Sequence, residues 1–364
     1  MNQRRALRDF CNSPKATMKY PEFQGKCFCP DIASVMQPES HCIVSIITER
    51  PHADSCMITP RHSTEYSMPR TTAPYTIRSL RTVRTFLKVG SCSETMFHVL
   101  NRAHQQPMVP EENASMPFAG GIIQHGYQCG LLWGAALAAG VEAHRRYGDG
   151  ARAEAAAALA AQKIVYSFHD RYGETNCYEL IETDWNKSAQ VLRYFIKGGT
   201  FRCFAMAASF AHMAFAELQE AFPDGDLPVP DRPVSCAAET VRRLGGSEQQ
   251  CAIAAGLAGG IGFSGGACGA LGAAIWALSV KIASDSDEKM DYKDPRALAL
   301  IERFLECSDY RFECSDIVGR EFTGIEDHSA YLHGGGCAGI LDTLAAEVLE
   351  AVERKKINFP SSLH

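Results

Sequence analysis

The sequence lacks a strong charge of either sign. Its 36 lysine and arginine residues are nearly balanced by 42 aspartate and glutamate residues, so the formal net charge is only -6 over 364 residues. A charge this small gives no reason to expect nucleic acid or an anionic membrane surface as a partner, because both attract strongly basic proteins.

Motifs of several large enzyme classes are also missing. The sequence contains no Ser-His-Asp arrangement and no phosphate-binding loop, and its runs of glycine do not give Gly-x-Gly-x-x-Gly after a strand, the setting that a dinucleotide site needs. It has no Cys-x-x-Cys-His sequence either, so covalent haem is not implied. We therefore expect neither haem nor a nucleotide as a cofactor.

No segment has the pattern of a signal peptide or of a membrane span. Arg4, Arg5 and Arg8 follow Met1, but no apolar run of about 7–15 residues comes next, so we expect a cytoplasmic protein. Residues 251–280 carry no charge and satisfy the length rule for a spanning helix. Because glycine crowds the first half of this segment, we predict instead a glycine-rich turn that leads into a fully buried helix.

Cysteine is the residue that the chain has in excess. The sequence contains 15 cysteines without a sign of export, a combination that indicates reduced thiols, metal or cluster ligands, or redox catalysis. For any one cysteine, the alternative is a small buried hydrophobic residue.

The chain divides into three predicted parts. Residues 1–84 are rich in Pro, Ser, Thr, Arg and His and show no helical period, so we predict a disordered or loosely structured N-terminal extension. From about residue 85 the apolar positions recur at helical spacing, and a proline-rich stretch at 224–233 separates two halves. We therefore predict an all-α protein with two helical bundles, residues 85–223 and 234–356.

The two halves repeat each other. Residues 118–130 and 257–269 align without a gap at an offset of 139, and seven of the thirteen positions are identical, four of them glycine. Shared glycines imply a shared backbone, because glycine alone reaches positive φ and close backbone approach without a steric cost. We predict a duplicated bundle with a glycine-rich turn in each repeat.

Four cysteines recur in the same order in each half. The first quartet is Cys92, Cys129, Cys177 and Cys203, and the second quartet is Cys236, Cys268, Cys314 and Cys337. The spacings are 37, 48 and 26 residues in the first quartet, against 32, 46 and 23 in the second. Unrelated buried cysteines have no reason to recur in one order at nearly equal spacing, so we predict a shared role for each quartet.

These residues resemble the C_GCAxxG_C_C family of redox-active proteins. The second half is the better match, with Gly265-Gly-Ala-Cys268-Gly-Ala-Leu-Gly-Ala as the central motif and Cys314-Ser-Asp-Ile-Val-Gly319 as the third. The first half has Cys129-Gly-Leu-Leu-Trp-Gly134, and Glu182 replaces a glycine of the family pattern. The resemblance covers two tandem copies and implies a redox function. A similar domain accompanies haem in the split-Soret cytochromes, where the fold is associated with an iron–sulfur cluster.

Three kinds of chemistry remain open for each quartet. Four cysteines can hold an iron–sulfur cluster, form two thiol–disulfide pairs, or bind one zinc ion. Zinc modules usually draw close pairs of cysteines from knuckles, and neither quartet has such a pair. The first hypothesis is therefore that each quartet holds one iron–sulfur cluster through its four cysteines and uses it for electron transfer. A metal-free thiol–disulfide or persulfide oxidoreductase is the alternative, and a helical protein with structural cysteines is the third.

Two of these cysteines are predicted to be the most reactive. Cys129 and Cys268 each follow a glycine-rich turn and open a helix, where free amides and the helix dipole lower the pKa of a thiol. Cys203 and Cys337 are also predicted at helix starts. Neither the redox partner protein nor the oligomeric state can be identified from these motifs.

Overall fold

The computed structural model describes residues 77–222, 229–286 and 289–358. The loosely structured extension predicted for residues 1–84 therefore lies outside the described residues, except at its end, where helix α1 begins at Ser79. This helix ends at Val89 because Gly90 adopts a left-handed conformation, in which its amide donates to the Phe86 carbonyl.

Helices make up the regular structure of the described residues, which contain fifteen α-helices, one 3₁₀ turn and no β-strand. The helices are α1 (Ser79–Val89), α2 (Cys92–Ala103), α3 (Val109–Asn113), α4 (Gly130–Tyr147), α5 (Ala151–Tyr172), α6 (Cys177–Ile181), α7 (Ser188–Ile196), α8 (Gly199–Glu220), α9 (Cys236–Arg243), α10 (Glu248–Ala255), α11 (Gly269–Ser286), α12 (Pro295–Cys307), α13 (Cys314–Val318), α14 (Ile325–His333) and α15 (Ala338–Asn358). The prediction of an all-α protein is confirmed.

Six helices of the first repeat have a counterpart in the second. In chain order, α2, α4, α5, α6, α7 and α8 correspond to α9, α11, α12, α13, α14 and α15. Helices α4 and α11 both have 18 residues and begin 139 residues apart, which is the offset at which the two sequences align. Helices α6 and α13 both have 5 residues and each begins at the third cysteine of its quartet. The predicted duplication of the helical bundle is therefore confirmed.

The glycine-rich turns have the same backbone in both repeats. Gly121 and Gly260, which align in sequence, have φ values of 78° and 81°. A Cβ atom would lie 2.2 Å from the Tyr127 carbonyl oxygen at the first position and 2.5 Å from the Gly266 carbonyl oxygen at the second. Only glycine allows the turn to close this tightly.

The uncharged segment 251–280 lies in the interior of the protein. It comprises most of α10, the second glycine-rich turn and most of α11, and nearly all of its residues are buried. Its apolar character therefore reflects core packing. None of the described helices is both long enough and apolar enough to cross a membrane.

The two repeats touch each other through equivalent residues. The indole of Trp133 occupies the space beside Gly272, where a Cβ atom would lie 2.3 Å from the ring. The side chain of Gln128 donates to the Gly260 carbonyl at 2.8 Å and accepts from the Ala267 amide at 2.7 Å. Trp133 and Gln128 align with Gly272 and Ala267 at the offset of 139, so equivalent positions meet, as they do at a two-fold axis.

A buried carboxylate also joins the repeats. Glu154 in α5 is only 1% exposed and pairs with Arg232 at 2.8 Å and with Arg242 in α9 at 2.5 Å. An unpaired buried carboxylate is strongly destabilising, so these ion pairs fix the start of the second repeat against α5.

Replacing Gly272 with alanine is expected to destabilise the protein. The new methyl group would overlap the buried Trp133 ring, and overpacking of this kind costs about 1–3 kcal/mol. Gly339→Ala is the matched control, because this helical glycine has open space around it. The control should leave the free energy of unfolding unchanged or raise it by about 0.5 kcal/mol. Chemical denaturation measures both, and equal effects would contradict the proposed packing.

Candidate functional site

The first quartet faces one cavity. Cys92 is the first residue of α2, Cys129 immediately precedes α4, Cys177 is the first residue of α6, and Cys203 lies in the second turn of α8. All four line a cavity of about 300 Å³. Residues separated by up to 111 positions in the chain are thus brought to one place, and all four cysteines are free thiols.

Backbone hydrogen bonds hold the second and third cysteines of each quartet side by side. In each repeat, the segment before the second cysteine runs antiparallel to the segment before the third, as an isolated bridge. The bonds run from Cys129 N to Thr175 O (2.8 Å), from Cys177 N to Tyr127 O (2.7 Å), from Cys268 N to Phe312 O (3.0 Å) and from Cys314 N to Gly266 O (2.6 Å). The site therefore has the same backbone frame in both repeats.

The first cysteine of each quartet follows a capping serine. Ser91 accepts a hydrogen bond from the Glu94 amide, and Ser235 accepts one from the Ala238 amide. Each serine is thus the N-cap of a helix that begins with a cysteine, and it fixes the position of that cysteine. The repeated Ser-Cys sequence is the signal of this arrangement.

The second quartet also comes together. Cys236 and Cys314 begin α9 and α13, whereas Cys268 and Cys337 immediately precede α11 and α15. Burial, and then the neighbouring sulfurs of Cys268, Cys236 and Cys337, raises the pKa of Cys314. Each of these sulfurs is therefore close enough to the Cys314 sulfur to affect its ionisation.

The two quartets differ in where negative charge is stabilised. In the first, a hydrogen bond with the Cys129 thiol lowers the pKa of Cys92, and the amides of Gly120 and Ser93 add to the effect. The same hydrogen bond, together with burial, raises the pKa of Cys129. In the second, burial dominates and raises the pKa of Cys236 to about 12. Hydrogen bonds thus lower the pKa of Cys92 by more than burial raises it, whereas burial has the larger effect on the pKa of Cys236.

The reactivity predicted for Cys129 and Cys268 stays a prediction, and the structure adds Cys92 to it. The amides at the helix starts do lower the pKa of Cys129 and Cys268. The hydrogen bond with Cys92, and then burial, raises the pKa of Cys129, and burial raises that of Cys268, so both pKa values lie above that of an ordinary thiol. Cys92 combines a lowered pKa with partial exposure, the two properties of a reactive cysteine.

A tyrosine next to the fourth cysteine is part of each site and was missed in the sequence. The Tyr194 hydroxyl donates to the Cys203 sulfur at 3.2 Å, and the Tyr331 hydroxyl donates to Cys337. Glycine makes room for both rings, since a Cβ atom would lie 2.1 Å from the Tyr194 ring at Gly199 and 2.2 Å from the Tyr331 ring at Gly336. The detectable signal is a tyrosine five residues before a glycine in both repeats.

The fourth cysteines do not occupy the same position relative to this tyrosine–glycine pair. Cys337 directly follows Gly336 and has a φ of 60°, whereas Cys203 lies four residues after Gly199 inside α8. Thr200 holds the place of Cys337 in the first repeat and also lines the cavity. The fourth cysteine of the first repeat is thus displaced by about one helical turn along α8.

Each quartet supplies a suitable donor set for an iron–sulfur cluster, but not the arrangement of a bound one. Four thiols with amides directed at the sulfurs are the environment that such clusters use. Among the described residues, however, no three His, Cys, Asp or Glu side chains are grouped as the ligands of a metal ion would be. The donors therefore fit the cluster in kind and number, and their side chains would have to move to bind it.

Comparison with known proteins gives one match. Residues 91–216 and 234–351 each match the family model described as "Putative redox-active protein (C_GCAxxG_C_C)". The two segments cover about two thirds of the chain, and each contains one complete quartet. No curated protein and no solved structure matches the chain.

Replacing Cys129 with alanine is expected to make Cys92 less reactive. The change removes the donor that lowers the pKa of Cys92, so less thiolate is present at pH 7. Because a hydrogen bond to a charged group contributes about 1.5–3 kcal/mol, alkylation of Cys92 by iodoacetamide should slow roughly tenfold or more. Mass spectrometry of the labelled peptide measures the rate.

Cys129→Ser is the control for this experiment, because the serine hydroxyl can still donate to Cys92. It should retain most of the rate. If alanine and serine slow the alkylation of Cys92 equally, the hydrogen bond is not the cause.

Proposed function

Because this chain belongs to the C_GCAxxG_C_C family of redox-active proteins, we propose that each quartet is a redox site and that the first works by thiol–disulfide exchange. Cys92 and Cys129 are the exchanging pair. Its oxidant is a disulfide, and a dithiol of a redox partner protein reduces it again, becoming a disulfide itself.

One observation carries this proposal, namely that the Cys129 thiol lies close enough to the Cys92 sulfur to change its ionisation inside the cavity that both line. Neighbouring thiols are the groups between which a disulfide forms by thiol–disulfide exchange. Their surroundings also differ as the two roles require. Cys92 is half-buried and its pKa is lowered, as suits an attacking thiolate, whereas Cys129 is buried and its pKa is raised, as suits a resolving thiol.

The exchange has two steps. The Cys92 thiolate attacks one sulfur of the substrate disulfide, whose sulfur–sulfur bond breaks as the mixed disulfide forms and one thiolate leaves. Cys129 then loses its proton and attacks the Cys92 sulfur, which forms the Cys92–Cys129 disulfide and releases the second thiolate. Both leaving thiolates take up protons, so one disulfide is reduced to two thiols while two protein thiols are oxidised.

The other two cysteines of the first quartet have a different role. Burial is the main reason that the pKa of Cys177 is raised, and it raises the pKa of Cys203 to about 11. Both therefore stay protonated at neutral pH and are poor nucleophiles. They line the same cavity as Cys92, where they contribute to its wall as neutral thiols.

Oxidation of the full-length protein is expected to link Cys92 to Cys129. The reduced protein is equilibrated in dithiothreitol buffers of increasing oxidised fraction, free thiols are alkylated, and disulfide-linked peptides are identified by mass spectrometry. The linked pair should be absent from Cys92→Ser and present in the control Cys307→Ser, since Cys307 is exposed and belongs to neither quartet. If Cys92 and Cys129 stay separately alkylated in every buffer, the dithiol function is refuted.

A second candidate function is one iron–sulfur cluster per repeat, used for electron transfer. It is favoured by the convergence of four cysteines on one cavity and by the amides of Gly120 and Gly259, which donate to the first sulfur of their quartets. When bound, a cluster supplies one-electron transfer at a potential that such amide hydrogen bonds raise. The ligands would be Cys92, Cys129, Cys177 and Cys203 in the first repeat, and Cys236, Cys268, Cys314 and Cys337 in the second.

Anaerobic purification tests the cluster directly. Bound clusters predict a brown protein with visible absorbance and acid-labile sulfide, and Cys129→Ser and Cys268→Ser should each remove about half of the iron. Colourless protein without iron, after expression with adequate iron and sulfur supply, would eliminate this candidate and leave the dithiol.

A further inference from the structure

Resting on the proposed exchange chemistry, we propose that the first-repeat cavity is a binding site for a small, uncharged, apolar disulfide. This proposal names the class of substrate, which the family and the cysteine pattern leave open. It is carried by the lining of the cavity, by its size, by the way it is closed, and by the position of Cys92 in it.

The described lining of the cavity is mainly apolar and, apart from the cysteines, holds no ionised side chain at neutral pH. None of the described residues that line it is acidic or basic. Its aromatic side chains are Phe86, Trp185, Tyr194, Phe195, Phe204 and Tyr292. Burying a charged molecule among such residues would be costly, because the described lining offers no acidic or basic side chain to pair with it. The lining therefore favours a neutral ligand with apolar or aromatic groups.

The size of the cavity favours a small molecule. Its volume of about 300 Å³ is at the lower end of the range found for ligand pockets, about 300–1,000 Å³. That space suits a molecule with one or two rings and is too small for a folded segment of a partner protein.

Two elements outside residues 91–216, the first segment that matches the family, close this cavity. Phe86 comes from α1, which precedes that segment, whereas the described residues just before the second matched segment, 229–233, contain no helix. Tyr292 comes from the second repeat, and its hydroxyl donates to the Gly90 carbonyl at 2.8 Å. Lys289 anchors the same segment through an ion pair at 2.6 Å with Glu94, which is buried. The cavity wall is therefore completed by side chains from α1 and from the second repeat, neither of which contributes a cysteine to the first quartet.

The opening of the cavity is apolar as well. Phe195 lines the cavity and is 58% exposed, and it is followed in α7 by Ile196, which is 76% exposed. Leu192, one helical turn earlier, is 61% exposed. Isolated exposed apolar residues are ordinary, but three in one short helix at a cavity entrance give an apolar ligand a surface to approach.

The two adjacent thiols specify a disulfide among the soft electrophiles that such a cavity could admit. Cys92 is partly exposed at the cavity, and Cys129 lines it beside Cys92. An alkylating compound would leave Cys92 permanently blocked, whereas a disulfide leaves a mixed disulfide that Cys129 resolves in the step described above. The presence of the second thiol is therefore explained by a disulfide substrate.

Three disulfide probes test the substrate class with the full-length protein. The first probe is 4,4′-dithiodipyridine, which is neutral and aromatic at about pH 7.5. The second is 5,5′-dithiobis(2-nitrobenzoate), which is a dianion, and the third is oxidised glutathione, which is charged and polar. Stopped-flow absorbance, or glutathione release in the third case, gives the rate at which Cys92 reacts. Each rate is divided by that of 2-mercaptoethanol with the same probe, which removes the intrinsic reactivity of the probe.

We expect the normalised rate for the neutral probe to exceed that for each charged probe by at least roughly tenfold, about 1.4 kcal/mol. The fast phase should disappear in Cys92→Ser, which identifies it among the reactions of the other cysteines, and remain in the control Cys307→Ser. Gln124→Lys places a cation on the cavity wall. It should lower the ratio of the neutral-probe rate to the dianion rate several-fold, because the lysine attracts the dianion strongly near a low-dielectric surface.

The outcomes separate the two proposals. If Cys92 reacts and the Cys92–Cys129 disulfide forms, but the normalised rates for neutral and charged probes are equal, the substrate class is wrong and the dithiol function stands. If the preference is present but Gln124→Lys leaves it unchanged, the cavity is not its origin and the inference is overturned. If no probe yields the Cys92–Cys129 disulfide, the dithiol function itself fails, and the substrate inference fails with it.

Discussion

The backbone hydrogen bonds between the segment before the second cysteine and the segment before the third are the constraint on which the rest of the site depends. In each repeat they join a glycine-rich turn to the start of a five-residue helix, and so place two cysteines that lie 48 or 46 residues apart beside each other. The carbonyl of Tyr127 takes part in this frame in the first repeat and that of Phe312 in the second, and their rings stack at 4.1 Å. The two frames are thereby in direct contact, and most of the buried apolar residues of both repeats belong to one core.

Within this shared frame, small differences decide the chemistry of each quartet. Both first cysteines begin a capped helix and both receive a hydrogen bond from a glycine amide, so the backbone contribution is similar. The Cys129 thiol adds a hydrogen bond to Cys92, and that bond is enough to lower its pKa in spite of burial. Without such a bond, burial raises the pKa of Cys236 to about 12. The two repeats therefore share the backbone frame around their first three cysteines but differ in the electrostatics of the first cysteine.

Much of the fold and part of the site could be predicted from local sequence. The aligned glycines indicated a common turn because positive φ has a specific residue requirement, and Gly121 and Gly260 meet it. The pairing of Ser with Cys marked two helix starts. Tyr194 and Tyr331 were not recognised, because a tyrosine five residues before a glycine has no meaning until the ring is seen packed against that glycine. The resemblance of the second half to the family pattern directed interest to that repeat, whereas the described cavity with all four of its cysteines belongs to the first.

The sequence by itself determined the family, the duplication, the helical architecture and the membership of each quartet, because all of these depend on residue order and periodic pattern. Only the tertiary structure decided which thiol is stabilised as a thiolate and what closes the cavity. Ionisation depends on the balance between burial and hydrogen bonding at one atom, and that balance is set by side chains distant in the chain, as Cys129 is from Cys92. The cavity wall likewise combines Phe86 from before the first repeat with Tyr292 from the second, a neighbourhood that no local pattern encodes.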